Sequence, residues 1–330
     1  MIVPAYWAEA RVQQRAGDRQ VTVRRFGWSD AGQDDAQAMA DARAAEAMQR
    51  IVAGEPLPNR ERKREPKVPY NGAAGVPIRE EITGRQGSVV VTRNSYGARC
   101  LNVPDVLIAD IDFVPPSTWK AGLVVLAVLA LASIGAGLAQ GSWLFGGLLL
   151  SVSLVAFSPI AGLLLRLRQR MRGGPEAMAL HRVERFLAAN PGWNLRTYRT
   201  PAGLRVIATH RTFDPADPEA LKFFRAVAAD PVYVRMCLNQ RCFRARVTAK
   251  PWRIGIEDHL RPRPGVWPVD PLRLPVRTAW IEAYEAKAAA FAACRYVTTV
   301  GSGVTDPVVE PVIALHDDLS RANMQGLSIA

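Results

Sequence analysis

Two aspartates stand two residues apart in "VLIADIDF" (106–113), a stretch otherwise apolar. Alternate residues of a strand share a face, so Asp110 and Asp112 point one way and Ile111 and Phe113 the other. Carboxylates this close repel unless a cation lies between them. An oxygen-only pair is what Mg2+ or Mn2+ takes, often completed by substrate phosphates. Asp110 and Asp112 are therefore the candidate metal ligands. A solvated acidic strand end, paired with nearby arginines, fits the same spacing.

Three arginines are the candidate phosphate-binding residues: Arg205 in "GLRVIATH", and Arg244 and Arg246 in "CFRARVT". Arg244 and Arg246 share one strand face, with Phe243, Ala245 and Val247 on the other. Guanidinium forks suit phosphate, and a metal-bound nucleotide needs such neighbours. A solvated sheet face, or one leaning on anionic lipid, is the competing reading.

The strand "IADID" resembles the catalytic strand of the archaeo-eukaryotic primase-polymerase palm, which reads apolar-apolar-Asp-apolar-Asp. That family's next motif is small-x-His in a later hairpin, and "TPAGLRVIATH" occupies the corresponding place. The resemblance covers about 85–250 and implies a palm-like sheet holding a divalent metal and a nucleotide. The chain departs from the pattern in two places. Arg205 occupies the histidine position, and His210, five residues on, falls on the opposite strand face. The family's third acid has no counterpart in "CFRARVT"; Glu257 and Asp258 follow later.

Smaller signals do not build a second site. Cys100, Cys237, Cys242 and Cys294 are scattered, without a C-x-x-C pair, and read as reduced thiols more than as disulfides or zinc ligands. "VTTVGSG" (297–303) lacks the following helix that would hold a phosphate and reads as a turn. "HDDLSRA" sets His316 beside two carboxylates but reads as a polar, loosely held tail.

The elements that must position these residues begin with the membrane. No charged residue lies between Lys120 and Arg166, and "AGLVVLAVLALASIGAGLA" (121–139) and "WLFGGLLLSVSLVAFSPIAGLLL" (143–165) are each long enough to cross a hydrocarbon core. Trp119 and Trp143 fall at the expected interfaces, and "QGS" is a minimal uncharged turn. Cations in "NRERKREPK", at Lys120 and in "RLRQRMR" flank the pair, so the expectation is a multi-pass protein of the inner (plasma) membrane with both termini cytoplasmic. At most ~28 Å of chain separates Asp112 from Lys120, so the aspartates lie near that membrane.

Around this insert the pattern predicts a β-hairpin in the first 30 residues and a helix from Gln33 to Ala53. Ala36, Met39, Ala40, Ala47, Met48, Ile51 and Val52 form its apolar stripe. A long connection spans 55–86, and two strands lie within 87–113. After the insert come a helix, a hairpin turning at "PAG", a helix near 217–229, a strand at 241–249, Pro-rich chain to 275 and a helix at 276–293. Neither flank carries enough cover for its strands alone. The fold class is therefore α+β, a largely antiparallel sheet with helices, interrupted by a two-helix transmembrane hairpin. Residues 1–118 and 167–330 make one cytoplasmic domain around a hairpin at 119–166; two small domains are the alternative.

The 330-residue chain carries net charge +12 and pI near 10.1. That balance suits nucleic acid, nucleotides or anionic inner-leaflet lipids. Two functions fit: binding a divalent metal with a nucleotide or other phosphate ligand, or tethering a protein partner to the lipid bilayer without catalysis. Transport is disfavoured, because the two helices contain no internal charge.

Overall fold

The computed structural model describes residues 1–16, 19–55, 63–65, 76–113, 118–171 and 173–330. The chain forms two compact units: Met1–Ile111 together with Arg185–Ala330, and Asp112–Glu184. The architecture is α+β with antiparallel sheets, and two of its helices are long and apolar enough to cross a membrane.

At the N-terminus, β1 (Tyr6–Ala16) and β2 (Arg19–Ser29) pair antiparallel from Tyr6↔Ser29 to Ala16↔Arg19. Helix α1 (Gln33–Val52) lays Ala36, Ala40 and Ala44 on Ala8 and Ala10, and Ala47 and Met48 on Val21 and Val23. The alanine stripe lets helix and hairpin approach closely. At Gly27 any Cβ would stand 2.0 Å from the Ala36 carbonyl oxygen. Met39 and Val52, expected on the stripe, are exposed, and Ala44 takes the place between Ala40 and Ala47.

Of the expected connection at 55–86, residues 56–62 and 66–75 lie outside those described. Its last part corrects that expectation. Glu81–Gln86 is a strand, β3, which pairs with β4 (Val89–Arg93), and β4 pairs with β5 (Arg99–Val103). Strand β6 (Ile108–Asp112) then leads in sequence to α2 (Thr118–Ala139), α3 (Trp143–Met171) and α4 (Gly174–Ala189).

Beyond them come β7 (Asn194–Thr200), β8 (Gly203–Ala208), α5 (Pro218–Val227), α6 (Pro231–Gln240) and β9 (Phe243–Arg246). The chain ends with α7 (Leu274–Ala288), β10 (Phe291–Ala292), β11 (Arg295–Gly301), α8 (Glu310–Ser320) and β12 (Ser328–Ile329). Two four-stranded sheets, β3-β4-β5-β9 and β11-β7-β8-β6, each combine strands from before and after the apolar helices. Those shared ladders bind the two flanks into one unit.

The second unit turns its apolar residues outward. Leu144 is 89% exposed, and Leu123, Val124, Leu131 and Val155 are exposed as well. The residues buried between α2 and α3 are small. Gly137 and Gly146 meet so closely that a Cβ on Gly137 would lie 2.9 Å from the Gly146 Cα. The Ser133 and Ser153 hydroxyl oxygens lie 3.1 Å apart, each also within hydrogen-bond distance of a carbonyl one turn earlier in its own helix, so one hydroxyl donates across while the other donates to its own helix. Helix α3 continues past the apolar run, through Arg166, Arg168 and Arg170.

Candidate functional site

Strand β6 is held on both edges. It lies beside β8 in its sheet. On the other side the Tyr233 hydroxyl donates to the Ile108 carbonyl at 2.7 Å, and the Asp230 N–H donates to the Asp110 carbonyl at 3.0 Å. Asp230 is also the N-cap of α6, accepting from the Val232 and Tyr233 N–H groups, with Pro231 at the first helical position. A helix start thereby fixes the height of Asp110.

The Asp110 carboxylate is met by Arg205 of β8, whose Nε donates to Oδ1 at 3.1 Å. Arg205 is 2% exposed. Burial opposes its charge, but the Asp110 carboxylate, together with Cys294 and Tyr233, outweighs burial and raises the pKa. Its Nη1 donates to the Arg246 carbonyl at 3.0 Å and lies 3.2 Å from His316 Nε2. Asp112 occupies the exposed end of β6.

From His316 the network continues. Nδ1 lies 3.0 Å from Asp317 Oδ1, which also accepts from the Tyr198 hydroxyl at 2.6 Å. Asp317 Oδ2 accepts from Arg196 at 2.6 Å and from Asn323 at 3.2 Å. Burial alone would raise the Asp317 pKa; hydrogen bonds from His316, Tyr198 and Arg196 prevail and hold it below the usual carboxylate value. Burial likewise works against a charged His316, and the Asp317 carboxylate with Cys294 lifts its pKa nonetheless. Cys294 Sγ is 4.0 Å from His316 Nε2, and both side chains are fully buried.

"HDDLSRA" is therefore no loose tail. Val312, His316 and Ser320 recur at helical spacing behind Pro311, a signal that places His316 on the buried face of α8.

Arg244 closes a separate network on the other sheet. Its Nη2 donates to both Glu80 oxygens at 2.7 Å and its Nη1 to Asn102 Oδ1 at 2.9 Å. Thr92 donates to Glu80 and accepts from Asn102, so the cluster satisfies itself. Arg246 donates to the Thr248 and Ala330 carbonyls. Arg205 and Arg246 thus meet through one backbone carbonyl, while the Arg244 side chain is bound into the Glu80 cluster.

His210 packs on Trp193 at 4.7 Å between ring centroids, and its Nδ1 accepts from the Asn194 N–H. Burial lowers its pKa. Glu257 and Asp258 are exposed. All four cysteines are free and buried. Among the described residues no three His, Cys, Asp or Glu side chains gather as a metal seat. No protein family, curated protein or solved structure matches the chain.

Proposed function

We propose that this chain is a membrane-anchored, non-catalytic module whose soluble unit serves binding to a partner. The observation that carries the reading is the internal use of the residues best suited to chemistry. Asp110 is hydrogen-bonded by Arg205, Arg244 by Glu80 and Asn102, and Arg246 by backbone carbonyls. A metal at Asp110 would set a second positive charge beside the buried Arg205 guanidinium, whose Nε already takes Oδ1, and that like-charge placement disfavours it.

The anchor in this proposal is α2 with α3, crossing the inner membrane with both chain termini cytoplasmic. Outward leucines and valines, inward glycines and serines, and an uncharged turn support it. Lys120 in the first turn of α2 and Arg166, Arg168 and Arg170 at the end of α3 support retention on the cytoplasmic side, against anionic lipid.

Calorimetry on the full chain in nanodiscs tests the functional half, with Mn2+ and a nucleotide mixture titrated into wild type and Asp110→Asn. We expect no Mn2+-dependent binding in either. Mn2+-dependent nucleotide binding that Asp110→Asn abolishes would restore the metal-and-phosphate reading and overturn the tether. For the anchor, Ser142→Cys should react with an impermeant maleimide from the outer side of intact spheroplasts. The native thiols are buried and give a low background.

A further inference from the structure

One cavity of the soluble unit holds arginines that are not balanced internally. It measures about 440 Å3, within the ~300–1,000 Å3 span of small-molecule sites. Arg85 of β3, Arg93 of β4 and Arg99 of β5 line it together with Glu285 of α7 and Leu315 and Leu319 of α8.

Arg93 and Arg99 are directly opposite each other in the β4–β5 register. Like charges so placed repel. A single carboxylate oxygen stands within ion-pair distance of both, aligned for a hydrogen bond with neither: Glu285 Oε1 lies 2.9 Å from Arg93 Nη1 and 3.3 Å from Arg99 Nε. Arg93 donates through Nη1 to the Gly97 carbonyl at 2.7 Å. Its Nε has no hydrogen-bond partner although the side chain is only 7% exposed. The Nε of Arg99 also lacks an aligned acceptor. Arg85, half exposed at the rim, touches Asp30 only at 4.0 Å.

Buried guanidinium donors without acceptors are costly, and a multi-oxygen anion would satisfy them. Three arginines against one lining carboxylate match a dianion better than a monocarboxylate. A phosphomonoester carries nearly two charges at neutral pH. Across from the arginines, Leu315 and Leu319 are one helical turn apart and half-buried, a surface for an apolar substituent.

We propose that this cavity binds a phosphomonoester bearing an apolar group, the phosphate on Arg93 and Arg99 and the apolar part on Leu315 and Leu319. The inference does not depend on the tethering function, because none of its residues belongs to the Asp110–Arg205 network.

The test titrates hexyl phosphate, inorganic phosphate and hexanoate into the full chain in phosphatidylcholine nanodiscs without divalent metal. Hexyl phosphate is expected to bind saturably and about tenfold or more tightly than either fragment. Arg99→Gln, at a partly exposed position, should weaken it about tenfold, and Leu319→Asn severalfold. Glu285→Gln should tighten it, since the carboxylate competes with the ligand for both arginines. A purely structural Arg–Glu pair would not produce that opposite sign.

Asp110→Asn should leave hexyl phosphate affinity unchanged, which separates this site from a metal-dependent one. Phosphatidic acid in the nanodisc distinguishes the sources: competition with hexyl phosphate marks a lipid headgroup, and its absence a soluble ester. Absence of saturable binding to folded wild type, or equal affinity in wild type, Arg99→Gln and Glu285→Gln, would overturn the proposal.

Discussion

The two units both keep polar groups inside, and they do so on very different scales. Between α2 and α3 the buried polar side chains are two hydroxyls, Ser133 and Ser153, each within reach of the other and of a carbonyl of its own helix. In the larger unit the buried groups include charges: Arg205 with Asp110, Arg244 with Glu80, and Asp317 under Arg196 and Tyr198. For the proposed anchor, lipid makes an interior of glycine and hydroxyl contacts sufficient, because leucine gains nothing by leaving it. Water drives leucine inward, and the charges that follow must then arrive with partners.

The largest expected effect breaks the charged side of this contrast. Glu80→Ala strands Arg244 in the interior and should cost about 3–5 kcal/mol, read from urea unfolding of the soluble unit's tryptophan signal in nanodiscs. Smaller is the loss in the hairpin when Gly137→Leu forces α2 away from the Gly146 backbone. Overpacking of this kind costs about 1–3 kcal/mol, measured by titrating mixed micelles with SDS. Leu144→Ala, on the outward face, should change the same titration by no more than about 0.5 kcal/mol.

Titration sharpens the comparison further. Asp317 has a depressed pKa in the folded protein, so its contribution is complete above the ordinary value of 3.8 and is lost as pH falls through the lower folded value. Stability of the larger unit against unfolding should therefore fall in that acid window, and Asp317→Asn should flatten the slope. No Asp, Glu, His, Cys, Tyr, Lys or Arg lies between Lys120 and Arg166, so hairpin association should not change there.

Much of this organisation was legible from residue patterns. The hairpin β1–β2, the stripe of α1, the pair β7–β8 and the two apolar helices each follow a repeat long enough to be read locally. Short elements were harder. Strand β3 contains Gly84 and a register shift beside it, so its alternation with β4 is broken. Helix α6 is only ten residues, although Asp230-Pro231 is a sound start signal.

The site divides in the same way. Strand alternation puts Asp110 and Arg205 within reach of a common face, and the pairing with nearby arginines was one of two readings of that spacing. The distant partners are not written locally: Glu80 lies 164 positions from Arg244, and His316 lies 111 from Arg205. Such contacts depend on how β5 meets β9 and where α8 packs, which no window of residues contains.

The central claim is that the Asp110 carboxylate is used by Arg205. A double-mutant cycle with Asp110→Asn and Arg205→Met, followed by urea unfolding of the full chain, measures it most directly. Asp110 is 35% exposed, so solvent tempers the pair, and a coupling of about 1 kcal/mol or more is expected. Additivity of the two single changes within about 0.3–0.5 kcal/mol would contradict the account and return Asp110 to the list of residues free to hold a metal.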